Sequence, residues 1–145
     1  MKNLFLTISL ILIPFISGVA TVDFYPKKEY KPLPTKTVVH VRASYYHAKA
    51  GQTDSTPLIT ASMKHIDTNR LKSGKLRWCA LSRNLLKYFG GRLKWGDTIT
   101  IYSSNDRLRG KWVVQDCMHE MYNNKIDFLT VGHIAITEKR LRLEY

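Results

Sequence analysis

Short apolar runs with a two-residue period most constrain what this chain can fold into. They are Val38–Tyr46, Trp78–Leu81, Thr98–Tyr102, Lys111–Gln115, Ile126–Leu129 and the alternating Leu141, Leu143 and Tyr145 at the C-terminus. β-Branched and aromatic residues at this period mark strands with one face toward a core. The polar turn around Asn105-Asp106 sets Thr98–Tyr102 and Lys111–Gln115 up as a hairpin. Leu58-Ile-Thr-Ala-Ser62 reads as a further short extended piece, and Asn69–Lys75 as a Gly/Lys-rich loop. Ser82–Phe89 has N-cap chemistry and the spacing Leu85, Leu86, Phe89 for one or two helical turns, closed by Gly90-Gly91. Six short strands leave many sheet edges, and closure removes them. The expected fold is therefore mainly β, a small six-stranded barrel with one short helix. No solenoid-like repeat or low-complexity segment appears.

Two of these runs carry an acid. Trp112-Val-Val-Gln-Asp116 alternates toward its carboxylate, and Ile126-Asp127-Phe128-Leu129 encloses one. Burial disfavours the ionised form and raises a carboxyl pKa, which keeps an Asp protonated for general-acid work near neutral pH. Asp116 and Asp127 are the candidate catalytic residues. The alternative for each is a carboxylate that caps a loop by accepting backbone N–H bonds.

The first twenty residues have the layout of an export signal: Lys2, an apolar stretch from Leu4 to Ile16, then small residues at Ser17-Gly-Val-Ala20. The stretch is interrupted by Pro14 and shorter than the roughly 20 residues that cross a bilayer comfortably. Cleavage is expected near Thr21, with no stable membrane span afterwards. Residues 21–36 hold Pro26, Pro32 and Pro34 with lysines between them and read as an extended linker. Residues 37–145 then form one barrel domain, expected to be a monomer in the periplasm or outside the cell.

A formal charge of +12 fits an anionic polymer. For an exported chain that is a cell-wall glycan whose peptide stems carry carboxylates, in preference to nucleic acid; a solvated basic surface without a partner is the alternative. Export also permits a disulfide between Cys79 and Cys117, against two buried thiols. Asp116, Cys117 and His119 are metal-capable but adjacent, with no second cluster to complete a ligand set, so neither metal nor other cofactor is expected. Cys117 and His119 are likewise too close in sequence for a thiol nucleophile and its base. Among the aromatics, Trp78 and Trp112 sit in strands as core residues. Tyr46, Trp95 and Tyr122 are candidates for stacking on sugar rings. Lys125 shares a strand face with Asp127, where its charge lowers the acid's pKa. His40, His47, His65 and His133 show no partner pattern.

The order Ala43-Ser-Tyr-Tyr46, Thr60-Ala-Ser62, Cys79–Leu86, Trp95–Ile101, Trp112–Asp116 and Asn124–Phe128 resembles the double-psi β-barrel of the RlpA-like and 3D-domain group. That group includes the catalytic barrel of membrane-bound lytic transglycosylase A. The resemblance spans about residues 38–135 and rests most on two acids eleven residues apart, the second in a Lys-Ile-Asp-apolar frame. It implies that Asp127 is the general acid and base that cleaves between N-acetylmuramic acid and N-acetylglucosamine, leaving a 1,6-anhydro end. One carboxyl suffices because the attacking hydroxyl belongs to the substrate. Asp116 would hold a substrate hydroxyl or raise its partner's pKa. Where the group carries an Asp or a His after its third strand, this chain has Ser82, which can donate a hydrogen bond but carries no charge. Tyr46, Ser82, Trp95, Tyr122 and Lys125 are the expected substrate-binding residues. Two other functions remain open: a barrel that binds wall glycan without cutting it, and a hydrolase that uses Asp116 and Asp127 as a carboxylate pair.

Overall fold

The computed structural model describes residues 35–53 and 55–145. The stretch expected to be an export signal and most of the expected linker lie outside them. The strands are β1 (Val38–Tyr46), β2 (Trp78–Leu81), β3 (Thr98–Tyr102), β4 (Gly110–Cys117), β5 (Lys125–Leu129) and β6 (Leu141–Glu144). They close into a barrel in the order β1-β5-β2-β4-β3-β6. β1 runs parallel to β5 and β2 parallel to β4, while the other four pairings are antiparallel. The mainly β, six-stranded closed barrel is thus what the period-two runs anticipate. The Thr98–Tyr102 hairpin forms as expected, its turn closed by N–H groups of Leu108 and Arg109 on the Asn105 carbonyl at 3.0 Å. Among the described residues no helix is long and apolar enough to cross a membrane.

The short α-helix lies elsewhere than the spacing implies. α1 is Thr68–Lys72, inside the stretch read as a loop, and Asp67 caps it by accepting from Asn69 and Arg70 N–H at 2.9 and 3.0 Å. Ser82–Phe89 instead makes two 3₁₀ turns, Arg83–Leu85 and Lys87–Phe89. The tight path back explains them: a Cβ on Gly91 would lie 2.3 Å from the Leu85 carbonyl carbon, so only glycine allows this return. Leu58–Ser62 is not a strand; it runs through turns, with one isolated bridge between Ile59 and His65.

Two apolar clusters lie on opposite sides of the barrel wall. Inside are Val41, Cys79, Leu81, Val114, Ile126 and Phe128 with the inward residues of β3 and β6. Trp112 stacks on Phe128 with centroids 4.6 Å apart and donates its indole N–H to the Leu108 carbonyl at 2.7 Å. Outside, Tyr46, Ala80 and Leu129 pack against Ile66, Leu71 and Leu76 of the β1–β2 connection, with half-buried Trp78 beside them. That connection covers the outer face of the wall and forms the roof of a cleft.

Cysteines 79 and 117 are both free thiols. Cys79 pairs with Val114, and Cys117 pairs with Leu81, two residues further along the same parallel ladder. Two residues of strand and one interstrand step separate their Cα atoms by about 8 Å, beyond disulfide reach. Of the two alternatives, the disulfide that export would permit and two free thiols, the second holds.

Candidate functional site

Ala80 is paired with Asp127 on one side and with Asp116 on the other. Ser44 is paired with Asp127 across β1 and β5. Laterally paired residues point to the same face of a sheet, so Ser44, Asp127, Ala80 and Asp116 form one row on the outside of the wall. The row borders a cleft of about 690 Å³, lined also by Tyr46, Arg83, His119, Tyr122 and residues of the 52–63 segment. With alanine between the acids, the floor of the cleft is low where a substrate would cross it.

Strict alternation along β4 would have placed Asp116 on the same side as Trp112 and Val114, inside the barrel. A β-bulge prevents this. The register with β2 steps from Cys79↔Val114 to Ala80↔Asp116, leaving Gln115 as the extra residue. One extra residue reverses the facing of everything after it. The bulge is clamped from above: Ser62 donates its N–H to the Gln115 carbonyl at 3.2 Å and its hydroxyl to Gln115 Oε1 at 2.6 Å. Thr60 Oγ1 lies 2.9 Å from the Ser62 hydroxyl. The 60–62 turn therefore depends on the irregularity that turns Asp116 outward.

The two carboxylates are held very differently. Asp116 accepts the Tyr46 hydroxyl at 3.0 Å on Oδ2, and the Ala61 and Cys117 N–H groups at 3.0 and 2.9 Å on Oδ1. Three donors thus occupy both of its oxygens. Asp127 accepts only the Ser44 hydroxyl, at 2.8 Å on Oδ1. Its Oδ2 has no partner among the described residues. Burial pushes the Asp127 pKa above the ordinary Asp value, against the Ser44 hydrogen bond and the Lys125 charge, and the nearby Asp116 carboxylate raises it further. Burial, with Asp116 alongside, also drives the Tyr46 phenol well above its usual range, so Tyr46 remains a donor.

The remaining expected binding residues divide. Tyr46 and Tyr122 line the cleft. Lys125 stands at its edge with its ammonium 4.2 Å from the Tyr122 ring centre, a cation–π contact that turns it from the cleft floor. Ser82 is fully buried and spends its hydroxyl on the Lys125 N–H at 3.0 Å, tying the end of β2 to β5. Trp95 packs against the interior cluster and does not line the cleft.

Ser44, Ala80, Arg83 and the Thr60–Ser62 turn go unnoticed as separate sites in the sequence. Ser44 was recoverable, since alternation in β1 separates outward His40, Arg42, Ser44 and Tyr46 from inward Val39, Val41, Ala43 and Tyr45. Arg83 was not, because its position at the cleft depends on the 3₁₀ turn that carries it. It pairs there with Glu120 at 3.0 Å and stacks on Phe89. No cluster of three metal-capable side chains occurs among the described residues.

The fold and site define a closed β-barrel with a two-carboxylate cleft on its outer wall. No family model matches the chain, and no curated protein or solved structure is significantly similar to it.

Proposed function

We propose that this protein is an exported enzyme that cuts the glycan strands of peptidoglycan by the transglycosylase route. The observation that carries the proposal is the asymmetry of the acids. Asp127 has a raised pKa and a free oxygen on the cleft, whereas both oxygens of Asp116 are occupied. Neutral Asp127 protonates the bridging oxygen as the bond from C1 to that oxygen breaks. The resulting carboxylate takes the proton from the 6-hydroxyl as O6 bonds to C1. No water is consumed, and the acid is regenerated protonated. Ser44 donates to Oδ1 and fixes the carboxyl rotamer, leaving Oδ2 toward the substrate. The Asp116 carboxylate raises the Asp127 pKa and supplies negative potential for an oxocarbenium-like transition state.

A two-carboxylate hydrolase needs a second carboxylate free to act on water or on the sugar. The three donors on Asp116 weigh against that alternative. The order of motifs that resembles the lytic transglycosylase barrel supports the choice of substrate, and the net charge of +12 supports an anionic wall polymer.

The test is to incubate the purified protein, beside Asp127→Asn, with peptidoglycan sacculi and examine the soluble products by mass spectrometry. The expected result is 1,6-anhydro-muropeptides from the wild type, and a loss of at least about 10²-fold in the variant. Reducing-end products would point to hydrolysis. No release by either protein, with both still pelleting with sacculi, would make this a binding barrel.

A further inference from the structure

The outward row that carries Asp127 is one of several on the same wall, and the next rows are basic. Two residues back along β1 and β5, Arg42 is paired with Lys125; two further back along β1, His40 is paired with Arg142 of β6. Each step along a strand pair is about 7 Å. A basic band thus begins about 7 Å from the Ser44–Asp127 row and continues for about another 7 Å across β5, β1 and β6. Within it is a notch of about 190 Å³ lined by His40, Arg42, Asn123, Asn124 and Arg140.

The charge in this notch is uncompensated. Elsewhere on the barrel Arg83 pairs with Glu120, Arg109 with Asp106, and Lys36 and Arg142 with Glu144. The Arg42 and Arg140 guanidinium groups have no ion pair or hydrogen bond among the described residues, and no carboxylate lines the notch. Asn124 holds the site in place from its end of β5: its carbonyl accepts the Arg42 N–H at 2.9 Å, and its side-chain oxygen accepts from Asn84 at 2.8 Å. Two guanidinium forks and an imidazole gathered in one concavity, with side-chain amides on its wall, form a donor array suited to an oxyanion.

We infer that this notch binds an oxyanion group, a carboxylate or a phosphate, carried by the polymer whose backbone lies over Asp127. The band is then an extension of the cleft that reads charge away from the scissile bond. An anion on it also screens the Lys125 ammonium, whose field favours ionised Asp127, and so assists the acid. The identity of the polymer rests on the proposed function; anion binding by the notch does not.

The test titrates the ¹⁵N-labelled protein separately with inorganic phosphate and with acetate, following backbone and side-chain resonances. Shifts confined to His40, Arg42, Asn123, Asn124 and Arg140 are expected, and the tighter of the two probes identifies the group. Arg42→Ser and Arg140→Ser should each weaken binding about tenfold, while Lys111→Ser, which removes an equal charge from β4, should leave it unchanged. Asp127→Asn should retain anion binding. If Asp127→Asn abolishes cleavage while the notch variants bind sacculi as tightly as wild type, the proposed function stands and the inference fails. If nothing is cleaved but the anion shifts appear, the reverse holds. Shifts spread over all exposed basic residues, or none at all, overturn the inference.

Discussion

The two faces of the β5-β2-β4 wall are built from alternate residues of the same strands, yet they do opposite things. Inside, Cys79, Leu81, Val114, Ile126 and Phe128 pack with almost no polar atom among them. Outside, the intervening positions place Ala80 between two carboxylates under a covering segment. The inner face has only to exclude water. The outer face combines an apolar patch, Tyr46, Ala80 and Leu129, with carboxylates satisfied to different degrees: both oxygens of Asp116 are occupied, while one of Asp127 is free. A barrel can carry such a site because the inner face supplies the stability that the outer face gives up.

Deleting Gln115 attacks the comparison most directly. Without the bulge residue the Cys79↔Val114 and Ala80↔Asp116 pairs join into a regular ladder in which the carboxylate still faces outward, but the Ser62 N–H and hydroxyl lose their acceptors on that residue and the turn over the cleft loses its clamp. The variant is expected to lose about 2–3 kcal/mol, read from denaturant midpoints. A deletion variant of near wild-type stability would mean that the bulge does not hold the 60–62 turn.

A smaller effect is expected from the outward acid. The folded state raises the Asp127 pKa above its ordinary 3.8. Between those two values the native state holds a proton that the unfolded chain has released, so stability falls as pH rises through that window and stays lowered above it. Asp127→Asn keeps an acceptor for Ser44 and removes the penalty. Its thermal midpoint should exceed that of wild type at neutral pH and converge on it near pH 3, a tenfold bias toward the neutral acid being about 1.4 kcal/mol. An identical difference at both pH values would show that Asp127 is not held protonated by the fold.

The smallest effect concerns the thiols. Burial raises the pKa of Cys79, which makes it a poor nucleophile toward oxidants, and Cys117 lies out of its reach. Reductant should leave the denaturation midpoint unchanged, and both thiols should react after unfolding. A disulfide across that loop would instead reveal itself as a loss of about 4 kcal/mol on reduction.

The barrel was legible because its signal is local. Alternation in Thr98–Tyr102 and Leu141–Tyr145, and the turn at Asn105-Asp106, depend on neighbours a few residues apart. Asp127 was equally plain as a lone acid in an apolar run. The helix was misplaced because Ser82–Phe89 has helical spacing, while the tight return at Gly91 and the burial of Leu85 and Leu86 hold it in 3₁₀ turns. Asp67, by contrast, announces α1 only through a cap that is weak evidence without the fold around it.

The sequence by itself determined the strands, their inward residues and the two acids, since a two-residue period and a charge in an apolar run are properties of adjacent side chains. The tertiary structure alone decided that Gln115 bulges and turns Asp116 outward, that Ser82 is buried and Trp95 turned away from the cleft, and that Arg42, Arg140 and His40 share one notch. Each of these depends on register between strands distant in the chain, which sets facing and proximity without leaving a local pattern to read.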